Sequence, residues 1–383
     1  MVPKRNLGEP PKHLESINSM PTTVSLSGGD WVEVRSREEI LKTLDQNGCL
    51  EGMPFMPEMF AFCGKRCRVQ ARAHKTCDTV FPVRGRRVAS AVHLETRCDG
   101  QAHGGCQARC LIFWKEAWLK RAEGSMSQAP AATAQPPVLT EPGKAGPGCT
   151  EADVLRAARA PAGKDESSPT YSCQATRLPY ATTHLHHWDV RQYVEDYTSG
   201  NVGFGAIAAG FIYMGYRGLI NLGIGLGRPL RWVYDKWQAL WGGVPYPRRC
   251  GNIPVGTKTP ALELNLQAGD WVRVRSYEAI LATLDQANKN RGLYFDAEMV
   301  PYCAGIYRVL QRVSRIVNEQ TGQIQELKHP CIMLEGVVCG SRYSECRLFC
   351  PRAIYSYWRE IWLERVDPPA QVAGEAKASG ASK

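Results

Sequence analysis

Apolar and polar positions along the chain fall into two recurring patterns. Trp31-Val32-Glu33-Val34 and Trp271-Val272-Arg273-Val274 alternate with a period of two after a Gly-Asp turn, which predicts a strand at each place. Ser36-Arg37-Glu38-Glu39 then reads as a capping box that opens a short helix through Leu44, and Ser276-Tyr277-Glu278-Ala279 opens a similar one. Alternation returns over residues 66–73 and 307–317, and residues 88–94 and 331–338 supply a further strand each. Residues 110–120 and 350–364 read as a closing helix in each region, the second with Pro351 at its first position.

The two patterns are one pattern met twice. Gly29-Asp30-Trp31-Val32-Glu33-Val34-Arg35-Ser36 recurs as Gly269-Asp270-Trp271-Val272-Arg273-Val274-Arg275-Ser276. At the same offset Thr43-Leu44-Asp45-Gln46 meets Thr283-Leu284-Asp285-Gln286, Glu58-Met59 meets Glu298-Met299, and Cys63 meets Cys303. Trp114, Glu116 and Trp118-Leu119 later match Trp358, Glu360 and Trp362-Leu363 after a slip of four residues. An internal repeat of this length predicts two copies of one module, at 23–122 and 255–366. The expected fold class is α+β: two small β-rich modules, each closed by a C-terminal helix. Their opening Gly-Asp-Trp-Val-x-Val-Arg resembles the first strand of small SH3-like barrels. Residues 1–22 read as a tail, 123–168 as a flexible Ala/Pro/Gly/Ser linker, 169–254 as an aromatic, glycine-rich helical segment, and 367–383 as a disordered tail.

Composition narrows the chemistry. Of 383 residues 44% are hydrophobic and 22% charged, which allows packed cores and excludes wholesale disorder. The beginning has no apolar run of secretory length, so a reducing compartment, the cytoplasm, is expected. There, cysteines are metal ligands or plain thiols more often than disulfides. The chain has 15 of them.

Cys98, Cys106 and Cys110 follow a C-x7-C-x3-C spacing, and Cys339, Cys346 and Cys350 follow C-x6-C-x3-C. Three thiols leave a tetrahedral site one ligand short. Cys77, which aligns with Val317, and Cys331, which aligns with Ala91, are the further thiols available in the respective copies. If the strands bearing these positions pair as an antiparallel hairpin, both approach one point. The expectation is therefore a four-thiolate site per copy, with its fourth ligand swapped across the hairpin. Zinc suits such a set, and an iron–sulfur centre is the alternative. Four protein ligands leave no open position for metal catalysis. Cys63 and Cys303 sit beside aromatic residues and read as core; Cys49, Cys67, Cys149, Cys173 and Cys250 are unmatched and read as plain thiols. His74, His93 and His103 could each replace a ligand in the first copy, but the second copy lacks all three.

Nothing in the sequence forms a recognisable catalytic constellation. Gly223-Ile224-Gly225-Leu226-Gly227 lacks the preceding strand of a phosphate loop, and neither a nucleophile elbow nor a His-Glu-x-x-His is present. His184, His186, His187 and Asp189 beside Trp188 read as a polar loop entering a helix. The net charge of +10 is spread along the chain, with one dense cluster at Arg84, Arg86 and Arg87, so nucleic acid is the less favoured partner. Residues 204–226 are apolar apart from Arg217 and Asn221, and Arg228, Arg231, Trp232, Trp237 and Trp241 follow. This stretch could be a buried hairpin, an element lying on a membrane surface (over 202–241), or a span.

The duplicated Gly-Asp-Trp-Val-x-Val-Arg-Ser, the Tyr302-Cys303 and Pro330-Cys331 blocks, and Tyr355-Ser-Tyr-Trp-Arg-Glu-Ile-Trp-Leu-Glu364 look like a family of bacterial proteins without an assigned activity. The resemblance spans both modules and carries over no activity. The sequence thus leads to a non-enzymatic, metal-binding accessory protein with an unidentified protein partner. An iron–sulfur redox protein and a nucleic-acid-binding protein are the alternatives.

Overall fold

The structure is a computed structural model that describes residues 26–79, 84–122, 148–160, 169–223, 225–344 and 346–369. Helices and strands each make up 28% of it, which fits the α+β class. Its first part runs β1 (Trp31–Val34), α1 (Arg37–Leu41), the short ladder β2 (Cys49–Leu50) and β3 (Met53–Pro54), and β4 (Arg66–Arg72). A hairpin of β5 (Lys75–Asp78) and β6 (Arg84–Arg87) follows, then β7 (Ala91–Arg97), β8 (Leu111–Lys115) and β9 (Leu119–Arg121). The middle carries α2 (Glu151–Ala158), the ladder β10 (Arg159–Ala160) and β11 (Thr170–Tyr171), α3 (Gln174–Ala181), β12 (Thr183–Leu185), α4 (Arg191–Thr198), α5 (Phe204–Ile220) and α6 (Gly227–Leu240). The last part has β13 (Trp271–Val274), α7 (Tyr277–Leu281), β14 (Lys289–Asn290), β15 (Leu293–Tyr294), β16 (Ile306–Val317), β17 (Ile324–Leu334) and β18 (Leu363–Arg365).

Two curled half-barrel sheets dominate. One has the order β8-β7-β4-β1-β9 and the other β17-β16-β13-β18. Trp31 lies opposite Arg68 in the first, and Trp271 opposite Arg308 in the second. Val34 meets Leu119, and Val274 meets Leu363. The alternation read from the sequence sends Val32, Val34, Val272 and Val274 inward, where each is fully buried. Beneath each sheet a tryptophan meets a phenylalanine edge to face: Trp118 and Phe55 at 5.2 Å, Trp362 and Phe295 at 5.3 Å. The indole N–H donates to Thr43 at 3.1 Å in one case and to Thr283 at 2.9 Å in the other, so neither buried donor is left unpaired.

The closing segments are not helices. Residues 110–120 form β8, a 3-10 turn over Glu116–Trp118, and β9. All five residues of β8 are buried, so this apolar run is a strand covered on both faces. In the last part, Trp358 bridges Ile332 and Tyr355 bridges Val338, and a 3-10 turn then leads into β18. Part of the expected linker is ordered too. Thr150 and Asp153 form a capping box that opens α2, whose Val154 is buried against Gly48. Most of 123–168, the 1–22 tail and most of 367–383 lie outside the described residues.

The β5–β6 hairpin leaves the first sheet and pairs with β12 of the middle segment, Arg86 opposite His184. Helices α5 and α6 pack against the last part through Tyr213, whose ring lies 5.0 Å from that of Tyr343, and through Gly210. A Cβ at Gly210 would press into the Phe349 ring. Among the described residues no helix is long and apolar enough to cross a membrane.

Candidate metal centre

The first three matched thiols are gathered by a tight loop. Where β7 ends, the Cys98 N–H donates to the Cys110 carbonyl at 2.9 Å, which closes the 98–110 loop at its base. Inside it, Gly100 adopts a left-handed φ of 73°, and a Cβ there would collide with the Cys106 carbonyl. The His103 and Gly105 N–H groups both donate to the Gly100 carbonyl at 3.0 Å, and the Cys106 N–H donates to the His103 carbonyl at 3.2 Å.

The fourth thiol comes from the middle segment. Cys173 is the N-cap residue of α3. Next to it, the buried Gln174 amide clamps the backbone of Phe113, accepting from its N–H and donating to its carbonyl at 2.8 Å each. It supplies the edge of β8 with the partners a further strand would have given, and this brings Cys173 to Cys110. Cys98, Cys106, Cys110 and Cys173 line one small cavity of about 30 Å³, with His103 and Arg352 also in its wall. The Val317 N–H donates to Cys106 Sγ at 3.3 Å, so the second sheet contributes to this thiol's surroundings. Burial raises the thiol pKa of Cys98 and Cys173, and pushes that of Cys110 up to about 12.

Glu58 holds the loop from beneath. Its Oε1 accepts from His103 Nδ1 at 2.7 Å and from the Cys98 thiol at 3.5 Å. Burial works against the Glu58 charge, but the His103 hydrogen bond and the His103 charge outweigh it, and the carboxyl titrates below its ordinary range. Among the described residues, Glu58, Cys98 and His103 are the set whose ligand atoms all fall within 4.8 Å of one another. His103 Nε2 faces the Ser172 carbonyl at 3.2 Å, so oxygen acceptors face both ring nitrogens. Glu58 and His103 thus flank Cys98. Glu58 Oε2 is buried without a hydrogen-bond partner.

The second set is arranged differently. Strand register makes Cys339 the counterpart of Cys98: Arg97 pairs with Leu111 in one sheet, and Val338 bridges Tyr355 in the other. The Cys339 N–H accordingly donates to the Ile354 carbonyl at 2.7 Å, so Ile354 stands where Cys110 does. Cys350 lies in the four extra residues and is buried, and its thiol shares a hydrogen bond with that of Cys77 on β5. That hydrogen bond lowers the Cys77 pKa despite burial, helped by Arg352 and Arg347, and raises that of Cys350. Cys77 pairs across its hairpin with Gly85, where a Cβ would lie 3.1 Å from the Cys346 carbonyl. Glu298 holds this loop as Glu58 holds the other, accepting from the Arg342 and Tyr343 N–H groups at 2.9 and 2.5 Å. Arg352 lies between the two sets, donating to the Cys77 carbonyl at 3.2 Å and to Glu319 at 2.9 Å.

The hairpin swap expected from the sequence is not formed. In β16–β17, Val317 pairs with Ile324 and Cys331 with Val313, so the two alignment positions are far apart along the ladder. Cys331 lies in an apolar cluster with Val313 and Met333, its sulfur 3.5 Å from Arg359 Nη1. Cys77 faces Cys350 instead. The sequence reading missed Cys173, which has no counterpart in the repeat, and Glu58, whose signal was the matched Glu58-Met59 and Glu298-Met299. Of the arginine cluster, Arg86 donates to the Pro179 carbonyl at 2.8 Å and Arg87 pairs with Glu195 at 3.1 Å. Comparison with protein-family models, curated proteins and solved structures gave no match.

Proposed function

We propose that this chain is a metal-binding accessory protein that works by interaction rather than catalysis, with two structural zinc ions holding its thiol-rich loops. Four thiols lining one small cavity carry the reading: Cys98, Cys106, Cys110 and Cys173. Thiolates suit a tetrahedral d¹⁰ ion, and a full protein ligand set leaves no place for a substrate. The second zinc takes Cys77, Cys339, Cys346 and Cys350, and Cys331 drops out of the ligand set. The first and last parts of the chain then share a metal, because Cys77 belongs to one and the other three cysteines to the other.

We also infer that the two sheets are copies of one SH3-like module, at 23–122 and 255–366. Equivalent pairings shift together, from Trp31–Arg68 to Trp271–Arg308. The Trp118–Thr43 hydrogen bond reappears as Trp362–Thr283. A reducing compartment such as the cytoplasm would keep the thiols free for metal. The nucleic-acid reading is weaker, because Arg86 and Arg87 are engaged within the chain.

Elemental analysis and an absorption spectrum of full-length protein, purified anaerobically without added metal, test the proposal. We expect about two zinc ions per chain and no visible chromophore. Iron with sulfide and a brown colour would replace it with the redox reading, and a metal-free folded chain would overturn it.

A further inference from the structure

We propose that the α5–α6 hairpin is a membrane-docking element that lies on bilayers containing anionic phospholipid without crossing them. The proposal is independent of the zinc reading. Along α5 the outward positions Phe204, Phe211, Ile212 and Leu219 are apolar and exposed, at 73, 44, 72 and 52%. Between them lie Gly205, Gly215 and Gly218, also exposed, so this face bears no polar side chain. Its opposite face is occupied: Gly210, Tyr213 and Ile220 are buried against the rest of the protein. On α6 the outward residues are Trp232, Trp237 and Leu240, with Trp241 just beyond, exposed at 60, 59, 77 and 73%. Contiguous exposure of this kind is a docking surface rather than ordinary surface scatter.

Charge selects the occupant. Residues 204–241 contain Arg217, Arg228, Arg231 and Lys236 against one acid, Asp235. Asp235 is turned inward, accepting from the Tyr246 N–H at 2.7 Å and paired with Arg249. Arg228 and Lys236 are exposed beside the tryptophans, and Lys236 Nζ lies 5.9 Å from the Trp232 ring centre. An apolar face edged by tryptophan and cations matches the layering of a bilayer surface: acyl chains, then the headgroup region favoured by indoles, then anionic phosphates. With 17 and 14 residues and a turn between them, the helices fit an element lying flat, and no described helix has the length and apolarity to span.

Full-length protein should co-sediment with phosphatidylcholine vesicles containing phosphatidylglycerol, with a blue shift in tryptophan emission, and bind pure phosphatidylcholine much more weakly. Arg228→Gln with Lys236→Gln should lower partitioning onto the anionic vesicles roughly 30-fold. Trp232→Ser, Trp237→Ser and Trp241→Ser together should abolish it, with far-UV circular dichroism and metal content unchanged. A chain that stays in the supernatant with every vesicle would overturn the proposal. So would a dimer, seen by light scattering without lipid and lost in the triple variant, because a second copy would then cover the face.

Discussion

Stripping zinc from the full-length chain with a high-affinity chelator should lower its thermal midpoint by roughly 20 °C or more. Structural zinc contributes about 10 kcal/mol or more per site, and 1 kcal/mol moves the midpoint by about 1 °C in a chain of 383 residues. The effect should begin locally. The 98–110 loop is held by a few backbone hydrogen bonds and turns at a left-handed Gly100, and its thiols Cys98, Cys106 and Cys110 line one cavity. Trypsin should therefore cut after Arg97 or Arg109 in the chelated protein and spare both bonds when zinc is restored. Acid should act as the chelator does, because thiolates must be deprotonated to bind and zinc is released as pH falls. Cys173→Ser should lose about one zinc per chain and open the same loop, whereas Cys331→Ser should keep the full complement. Unchanged melting and cleavage after verified zinc removal would contradict a structural role.

Asp196→Ala should cost about 3–5 kcal/mol, read as a shift in the urea midpoint at unchanged slope. Asp196 on α4 is fully buried and accepts from Lys75 Nζ at 2.5 Å. His74 Nε2 lies 3.2 Å from its other oxygen. Lys75 is itself buried, with its ammonium 5.0 Å from the Tyr193 ring centre and 5.7 Å from that of Phe349. Burial pulls the Lys75 pKa down, and Asp196 opposes that shift. Without the carboxylate the buried ammonium loses its hydrogen-bonded counter-ion and keeps two ring faces and the weaker pull of Glu195. The double variant Lys75→Met with Asp196→Leu should recover much of the loss, since neither charge is then stranded. The pair also fastens α4 to the β5–β6 hairpin that carries Cys77. A single variant as stable as wild type would show that this contact does not hold the middle segment in place.

Much of the sheet architecture was legible in the sequence because strands write a period of two. Trp31-Val-Glu-Val and Trp271-Val-Arg-Val could face inward in only one way, and the Ser36 and Ser276 caps lie where they were expected. The closing segments were misread because the spacing of four between Trp114 and Trp118 suits a helix face. It equally suits a buried strand and a 3-10 turn, and burial of all five β8 residues decides between them. The cysteine spacing misled in a related way. It matches Cys350 to Cys110, but the strand register puts Ile354 in that place and frees Cys350 to meet Cys77. Cys173 could not be found by repeat matching at all. Its position depends on a side-chain amide clamping the backbone of Phe113, a contact between distant residues that leaves no periodic trace.

The proposed zinc sits among thiolates. X-ray absorption at the zinc edge of the purified full-length protein tests it most directly. The account predicts a first shell of four sulfurs at about 2.3 Å, with no nitrogen or oxygen component at about 2.0–2.2 Å. A mixed shell dominated by nitrogen and oxygen, as Glu58 and His103 with a single sulfur from Cys98 would give, would contradict it.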